Sequence, residues 1–136
     1  MATTQDTERA REQARAQLDS IIELVNALEN GGEVDGETLD SDAVRERIEE
    51  SPLSVEVRTD WHGVGDSDNK PTEYNILLCT GGPACRIIGD LDQYGQPDTA
   101  KIEYQDWGIP WTRYGSTTTQ EEEKLLTFAQ QFYFGE

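Results

Sequence analysis

The side chains that could do chemistry in this chain are two cysteines, one histidine, three tryptophans and a dense run of carboxylates. Cys79 and Cys85 flank Thr80-Gly81-Gly82-Pro83-Ala84. A three-residue turn centred on Gly82 sets the two cysteines opposite each other on adjacent strands, within disulfide range. Such a pair supports thiol–disulfide chemistry, although two small fillers in a reduced core are the commoner use. Thiol catalysis needs a base beside the thiolate, and His62, the single histidine, lies in a separate segment. Two cysteines with His62 give zinc neither a fourth ligand nor the usual close spacing. Asp90, Asp92 and Gly95 approach the spacing of a calcium loop, but Tyr94 stands at position five and Lys101 at position twelve, where acids are needed. The Gly81-Gly82 turn has neither the lysine nor the following helix of a phosphate-binding loop. The sequence therefore points to no metal, no cofactor and no catalytic residue.

The carboxylates are the stronger signal. Twenty-eight Asp and Glu face eleven Lys and Arg, a formal net charge of −17 over 136 residues. A surface so acidic is repelled by nucleic acid and anionic membrane and draws cationic partners, with solubility alone as the competing explanation. The first 51 residues hold 14 acids and 5 bases, over half of the net charge. Within them Glu33, Asp35, Glu37, Asp40, Asp42, Glu46, Glu49 and Glu50 are the candidate partner-binding residues. Duplex DNA carries one charge per ~1.7 Å of axis. Carboxylates repeated along a helix and an acidic loop imitate that density, and their counterparts would be Lys and Arg side chains that otherwise hold phosphates. Trp107 and Trp111, on a backbone broken by Gly108 and Pro110, are either core packing or a protein-binding anchor. A different class of function, regulatory or ligand-binding, would use the sheet face near Arg86, Gln105 and Trp107.

The elements that must position these groups follow from periodicity. Thr7 to Glu29 lacks Gly and Pro and is rich in strong helix formers. Ala14, Leu18, Ile21, Val25 and Leu28 fall on one stripe, which can pack on the rest of the chain or on a second copy as a short coiled coil. Asn30-Gly31-Gly32 ends this helix. Glu33 to Asp42 reads as an acidic loop. Asp42 to Glu50 reads as a short helix capped by Ser41 or Asp40, with Val44 and Ile48 inward. From Leu53 the period becomes two: a half-buried strand from Leu53 to Arg58, then strands Tyr74–Thr80, Cys85–Leu91 and Thr99–Gln105. A last helix starts after Thr117-Thr118-Thr119, with Glu121, Glu122 and Glu123 in its first turn and Leu125, Leu126, Ala129, Phe132 and Tyr133 on its buried face. The fold class is α+β: a meander of about four antiparallel strands with helices from both ends on one face. Residues 1–51 form an acidic helical arm and residues 52–136 an α+β sheet domain.

The stretch Leu77-Leu78-Cys79-Thr80-Gly81-Gly82-Pro83-Ala84-Cys85-Arg86-Ile87, with Gln105-Asp106-Trp107-Gly108 and Pro110-Trp111-Thr112, resembles a small family of acidic accessory proteins of bacteriophages and mobile elements. The resemblance covers about residues 53–136. It implies an inhibitor of the anti-CRISPR or anti-restriction kind, without catalytic residues, whose partner is a basic host protein or nucleoprotein complex. It leaves the N-terminal third as a variable arm that sets the partner. Residues 1–20 hold no apolar stretch, and no segment approaches the ~20 apolar residues that span a bilayer. A cytoplasmic monomer or homodimer, bound to no nucleic acid and no membrane, is expected.

Overall fold

No glycine or proline interrupts the chain between Thr4 and Asn30, and these residues form one long helix, α1 (Thr4–Asn30). The structure, a computed structural model, describes residues 4–34, 36–59, 61, 63–65, 71–80, 83–106, 110–115 and 117–132, with side chains from Glu8 onward. At 1.5 Å per residue α1 is about 40 Å long. Ala14, Leu18, Ile21 and Val25 are buried, joined by Ala10, Leu24 and Ala27, with Leu28 half-buried. The stripe packs within the chain, on the sheet and the C-terminal helix. Gly31 ends α1 in the left-handed region (φ 74°), its N–H donating to Ala27 O at 2.9 Å.

The segment expected to be an acidic loop is instead an antiparallel hairpin, β1 (Gly32–Val34) and β2 (Glu37–Leu39). Buried Val34 and half-buried Leu39 hold it on the core. Helix α2 (Ser41–Glu50) follows. Asp40 caps it by accepting from Ala43 N–H at 2.8 Å, and Val44 and Ile48 are fully buried. Core residues from Ala10 to Ile48 and from Tyr74 to Ala129 form one cluster.

The main sheet has five antiparallel strands rather than four. They run in the order β3 (Ser54–Arg58), β4 (Glu73–Cys79), β5 (Ala84–Asp90), β6 (Lys101–Gln105), β7 (Thr112–Arg113). The added strand is two residues long and pairs with Glu103 and Tyr104. Helices α1 and α3 (Thr119–Ala129) lie over β5 and β6. Tyr74, Ile76, Ile87, Ile102 and Tyr104 are buried on that inner face. Strand β3 runs beyond this cover. Val55 and Val57 sit in register with Ile76 and Tyr74, so they belong to the inner face, yet they are 39% and 40% exposed. The half-buried strand of the sequence reading is thus an open edge. Gly89 has no room for a side chain, because a Cβ there would lie 2.0 Å from Thr99 O. Tyr74 Oη donates to that same carbonyl at 2.6 Å, which fastens the β5–β6 connection across the strand end.

Helix α3 begins with a capping box. Glu121 N–H donates to Thr118 Oγ1 at 3.1 Å, and Thr118 N–H donates to Glu121 Oε1 at 3.0 Å. Leu125 and Ala129 are buried as expected. Phe128, left out of the expected face, is buried too, one helical step from Leu125. Leu126 and Phe132 are half-buried, and Tyr133 lies outside the described residues.

Ion pairs fasten α1 along its length. Near its start Arg9 donates through Nε (3.1 Å) and Nη2 (2.8 Å) to Oδ2 of Asp106, the one buried charged residue among those described. Arg15 meets Asp19 at 2.7 Å and Glu121 at 2.6 Å. Near its end Glu29 pairs with Lys124 of α3. The Arg15 guanidinium, then the Thr118 N–H, hold the Glu121 carboxyl below its ordinary pKa. A lowered folded value means the pair contributes fully above the unfolded carboxyl pKa of about 4.3 and is lost as pH falls through the folded one. Glu121→Gln keeps the side chain's acceptor but not its charge. It is expected to cost about 1 kcal/mol at neutral pH, with the gap from wild type closing as the pH falls through the lowered pKa of Glu121. Urea unfolding stepped down in pH checks this.

Candidate functional site

Two surfaces present chemistry: the outer side of the hairpin and α2, and the open face of the sheet. On the first, Val44 and Ile48 turn one side of α2 into the core, so Asp42, Arg45, Glu46, Glu49 and Glu50 point to solvent. Asp42, Glu46 and Glu50 form an i, i+4 column with a rise of about 6 Å per step. Four carboxylates with Arg45 occupy about 12 Å of helix axis. That is near the 3.4 Å axial spacing of charge on a single DNA strand. Glu33, exposed on β1, adds a fifth.

These five make no ion pair among the described residues. The other sequence candidates stand differently. Glu37 lies 3.6 Å from Arg47, and Asp40 is engaged as the α2 cap, so both are committed within the chain. Asp35 and Trp107 lie outside the described residues.

Most of the cations are engaged elsewhere than on this acidic face. Arg9, Arg15, Arg47, Arg58, Arg86, Arg113 and Lys124, seven of the eleven in the chain, are in ion pairs. Every one of them joins two different elements or, for Arg9, α1 to the residue after β6. Arg11 lies over the Tyr114 ring, 5.9 Å from its centroid. Only Arg45 is interposed among the carboxylates of α2's outer face.

On the open sheet face, Arg86 donates from Nε (2.9 Å) and Nη2 (2.8 Å) to Glu103 Oε1. Its guanidinium lies under the Trp111 ring, 4.1 Å from the centroid. Trp111 is half-buried and serves this stack. Beside it is an open cavity of about 410 Å³ with Glu56, Arg58, Asn75, Arg86, Ile88 and Lys101 in its walls. Asn75 Oδ1 is buried there with no hydrogen-bond partner. Of the sheet-face residues singled out in the sequence, Arg86 borders the cavity and Gln105 does not.

Cys79 and Cys85 are register partners, as the turn length predicts, and both thiols are free. Burial, then the neighbouring Cys79, raises the Cys85 pKa, so its thiol is a poor nucleophile. His62 lies outside the described residues. Asp92 spends its carboxylate on its own turn, accepting from Tyr94 N–H (2.8 Å) and Gln96 N–H (3.0 Å). Among the described residues no group of three His, Cys, Asp or Glu could hold a metal, and no helix is long and apolar enough to cross a membrane. Comparison with protein-family models, curated proteins and solved structures returns no match for this chain.

Past Asp42, which suits the first turn, the α2 carboxylates work against the helix that bears them. Glu49 and Glu50 sit at the negative end of its dipole, and the i, i+4 column repels itself. Glu49→Lys and Glu50→Lys are each expected to raise stability by about 0.5 kcal/mol. Denaturant unfolding of the single variants measures it.

Proposed function

We propose that the protein is a non-enzymatic inhibitor carried by a phage or mobile element. It acts in the host cytoplasm on a defence complex that binds nucleic acid, of the CRISPR or restriction kind. Glu33, Asp42, Glu46, Glu49 and Glu50 stand in for phosphates and dock on the lysines and arginines of that complex. The observation that carries this reading is the separation of charge. Seven of the eleven cations are in cross-links between elements, while on the outer face of α2 four carboxylates outnumber the single Arg45, and Glu49 and Glu50 oppose the helix dipole. Residues that lower stability without a packing reason are common where function sets them. The overall charge of −17 adds long-range attraction to a basic groove and speeds encounter.

A second reading uses the open sheet face as a ligand site. Asn75 Oδ1 supports it, since a buried acceptor without a donor is costly and a bound donor would satisfy it. The occupant would be a small polar molecule with an N–H or O–H for Asn75 and a charged group for Lys101 or Glu56.

One experiment separates the two. The chain is used to capture host proteins at about 0.05 M and 0.5 M salt, spanning a several-fold change in Debye length. The acidic-face reading expects capture of a nucleic-acid-binding protein that salt releases and that competing nucleic acid displaces. The variant Asp42→Lys, Glu46→Lys, Glu49→Lys, Glu50→Lys is expected to lose at least about 1,000-fold in affinity, from four charge pairs of roughly 1 kcal/mol or more each. Its circular dichroism should match wild type. Undiminished inhibition by that variant, with loss on Asn75→Leu instead, would transfer the function to the sheet face.

A further inference from the structure

Five of the six large apolar side chains that are exposed among the described residues lie on one twelve-residue stretch: Leu53, Val55, Val57, Trp61 and Val64. The first three lie on or next to β3, the first strand of the sheet, which among the described residues has no strand on its outer side. Edge strands are ordinarily blunted by shortness, charged side chains, proline or bulges, and the two charges that β3 carries, Glu56 and Arg58, are of opposite sign. The opposite edge follows the rule, since β7 is two residues long. Strand β3 has five residues, paired to β4 without a register shift, and no proline within it. It is a template for another strand.

We infer that β3 pairs antiparallel with β3 of a second copy of this chain, about a two-fold axis through Val57. The side chains select that partner and that register. With Val57 facing its own copy, Glu56 stands opposite Arg58 of the second chain, and Arg58 opposite Glu56. Val55 faces Thr59, next to the end of the strand. Glu56 makes no ion pair among the described residues of its own chain, where its neighbour on β4 is Asn75. Arg58 is paired with Glu73 on β4, so dimerisation would set it between two carboxylates. The neighbouring registers lose this match. An axis through Glu56 or Arg58 puts like charges face to face, which destabilises a strand pair. An axis through Val55 leaves Glu56 opposite Ser54 and Arg58 opposite Pro52.

A two-fold axis normal to the sheet keeps both helix layers on one side and makes a continuous ten-stranded sheet. The apolar row that α1 and α3 leave uncovered is then covered by its own mate. Main-chain hydrogen bonds along the edge supply affinity, as in other strand additions. The interface is small, so a dissociation constant in the micromolar range is expected. Its salt dependence is opposite in sign to that of the acidic face. Two bodies of net charge −17 repel each other over long range, so salt strengthens this dimer while it weakens docking on a basic partner.

Sedimentation equilibrium of the full chain between about 0.05 M and 0.5 M salt tests it. Wild type is expected to dimerise, more tightly at high salt. Val57→Lys, which brings two ammonium groups together on the axis, should weaken the dimer at least tenfold. Glu56→Arg and Arg58→Glu should each do the same, the first even though it lowers the net negative charge. An equal mixture of these two variants should recover wild-type association, because each chain then meets opposite charges across the axis. Circular dichroism of each variant shows that its fold is kept. A wild type that stays monomeric at all salt concentrations overturns the proposal, including one whose β3 takes up a strand of another protein. So does a dimer indifferent to Val57→Lys, or a mixture of folded variants that fails to associate.

Discussion

Everything in this fold depends on α1 lying flat across the sheet. The contact is possible because the face it turns to the strands starts with two alanines, Ala10 and Ala14, and widens to Leu18, Ile21 and Val25. Small residues let a helix approach its neighbours closely, and the larger ones fill the core that α1 shares with the sheet, α2 and α3. Each fully buried Leu, Ile or Val is worth about 1.5–3 kcal/mol of transfer free energy. A helix of this composition gains most of its stability from such packing and little from propensity. The same contact gives α2 something to bury Val44 and Ile48 against. Without it, neither the hairpin nor α2 would have a core to sit on.

A second constraint is the scarcity of cations. With eleven against 28 acids, the chain cannot pair its charges and instead spends its bases where they bridge elements. Arg47 ties β2 to α2, Arg58 ties β3 to β4, Arg86 ties β5 to β6, and Arg113 ties β7 to α3. Exposed pairs of this sort are individually weak. Arg9 is of a different kind, because Asp106 is buried and an unpaired carboxylate there would be costly. The remaining acidity is a consequence of this allocation, and it falls unevenly. Among the described residues α2 carries the largest group of carboxylates outside any ion pair: Asp42, Glu46, Glu49 and Glu50.

Much of this was legible in the residues, and the failures have physical causes. Periodicity and end signals gave α1, α2, the meander and the Thr118 cap because these are local properties. The opposed cysteines followed from turn length alone. The hairpin has its signal in Asp35-Gly36, a two-residue turn pair between short β-compatible runs, but alternating acids make the segment read as a loop. Strand β7 is too short for any period to show. Phe128 falls on the stripe of Leu125 and Ala129, but the neighbouring Leu126 carries as strong an apolar signal and points the expected face elsewhere. The exposure of β3 could not be read at all: alternation shows that a strand has an apolar face, not whether a helix reaches it. Within the candidate site, the spread of acids was visible, but which were free was not. That Glu37 and Asp40 are committed inside the chain depends on where Arg47 and the start of α2 come to rest.

The buried carboxylate and the far end of α1 hold a further consequence. Arg9 and Asp106 are 97 positions apart, and Lys124 and Glu29 are 95 apart. Residues 31 to 50 are thereby strung between a helix locked at both extremities and the sheet. Val34, Val44 and Ile48 bury the hairpin and α2 in the same core that these closures complete. The conformational entropy of ordering the acidic segment is then met while the chain folds, and a partner would encounter it already rigid.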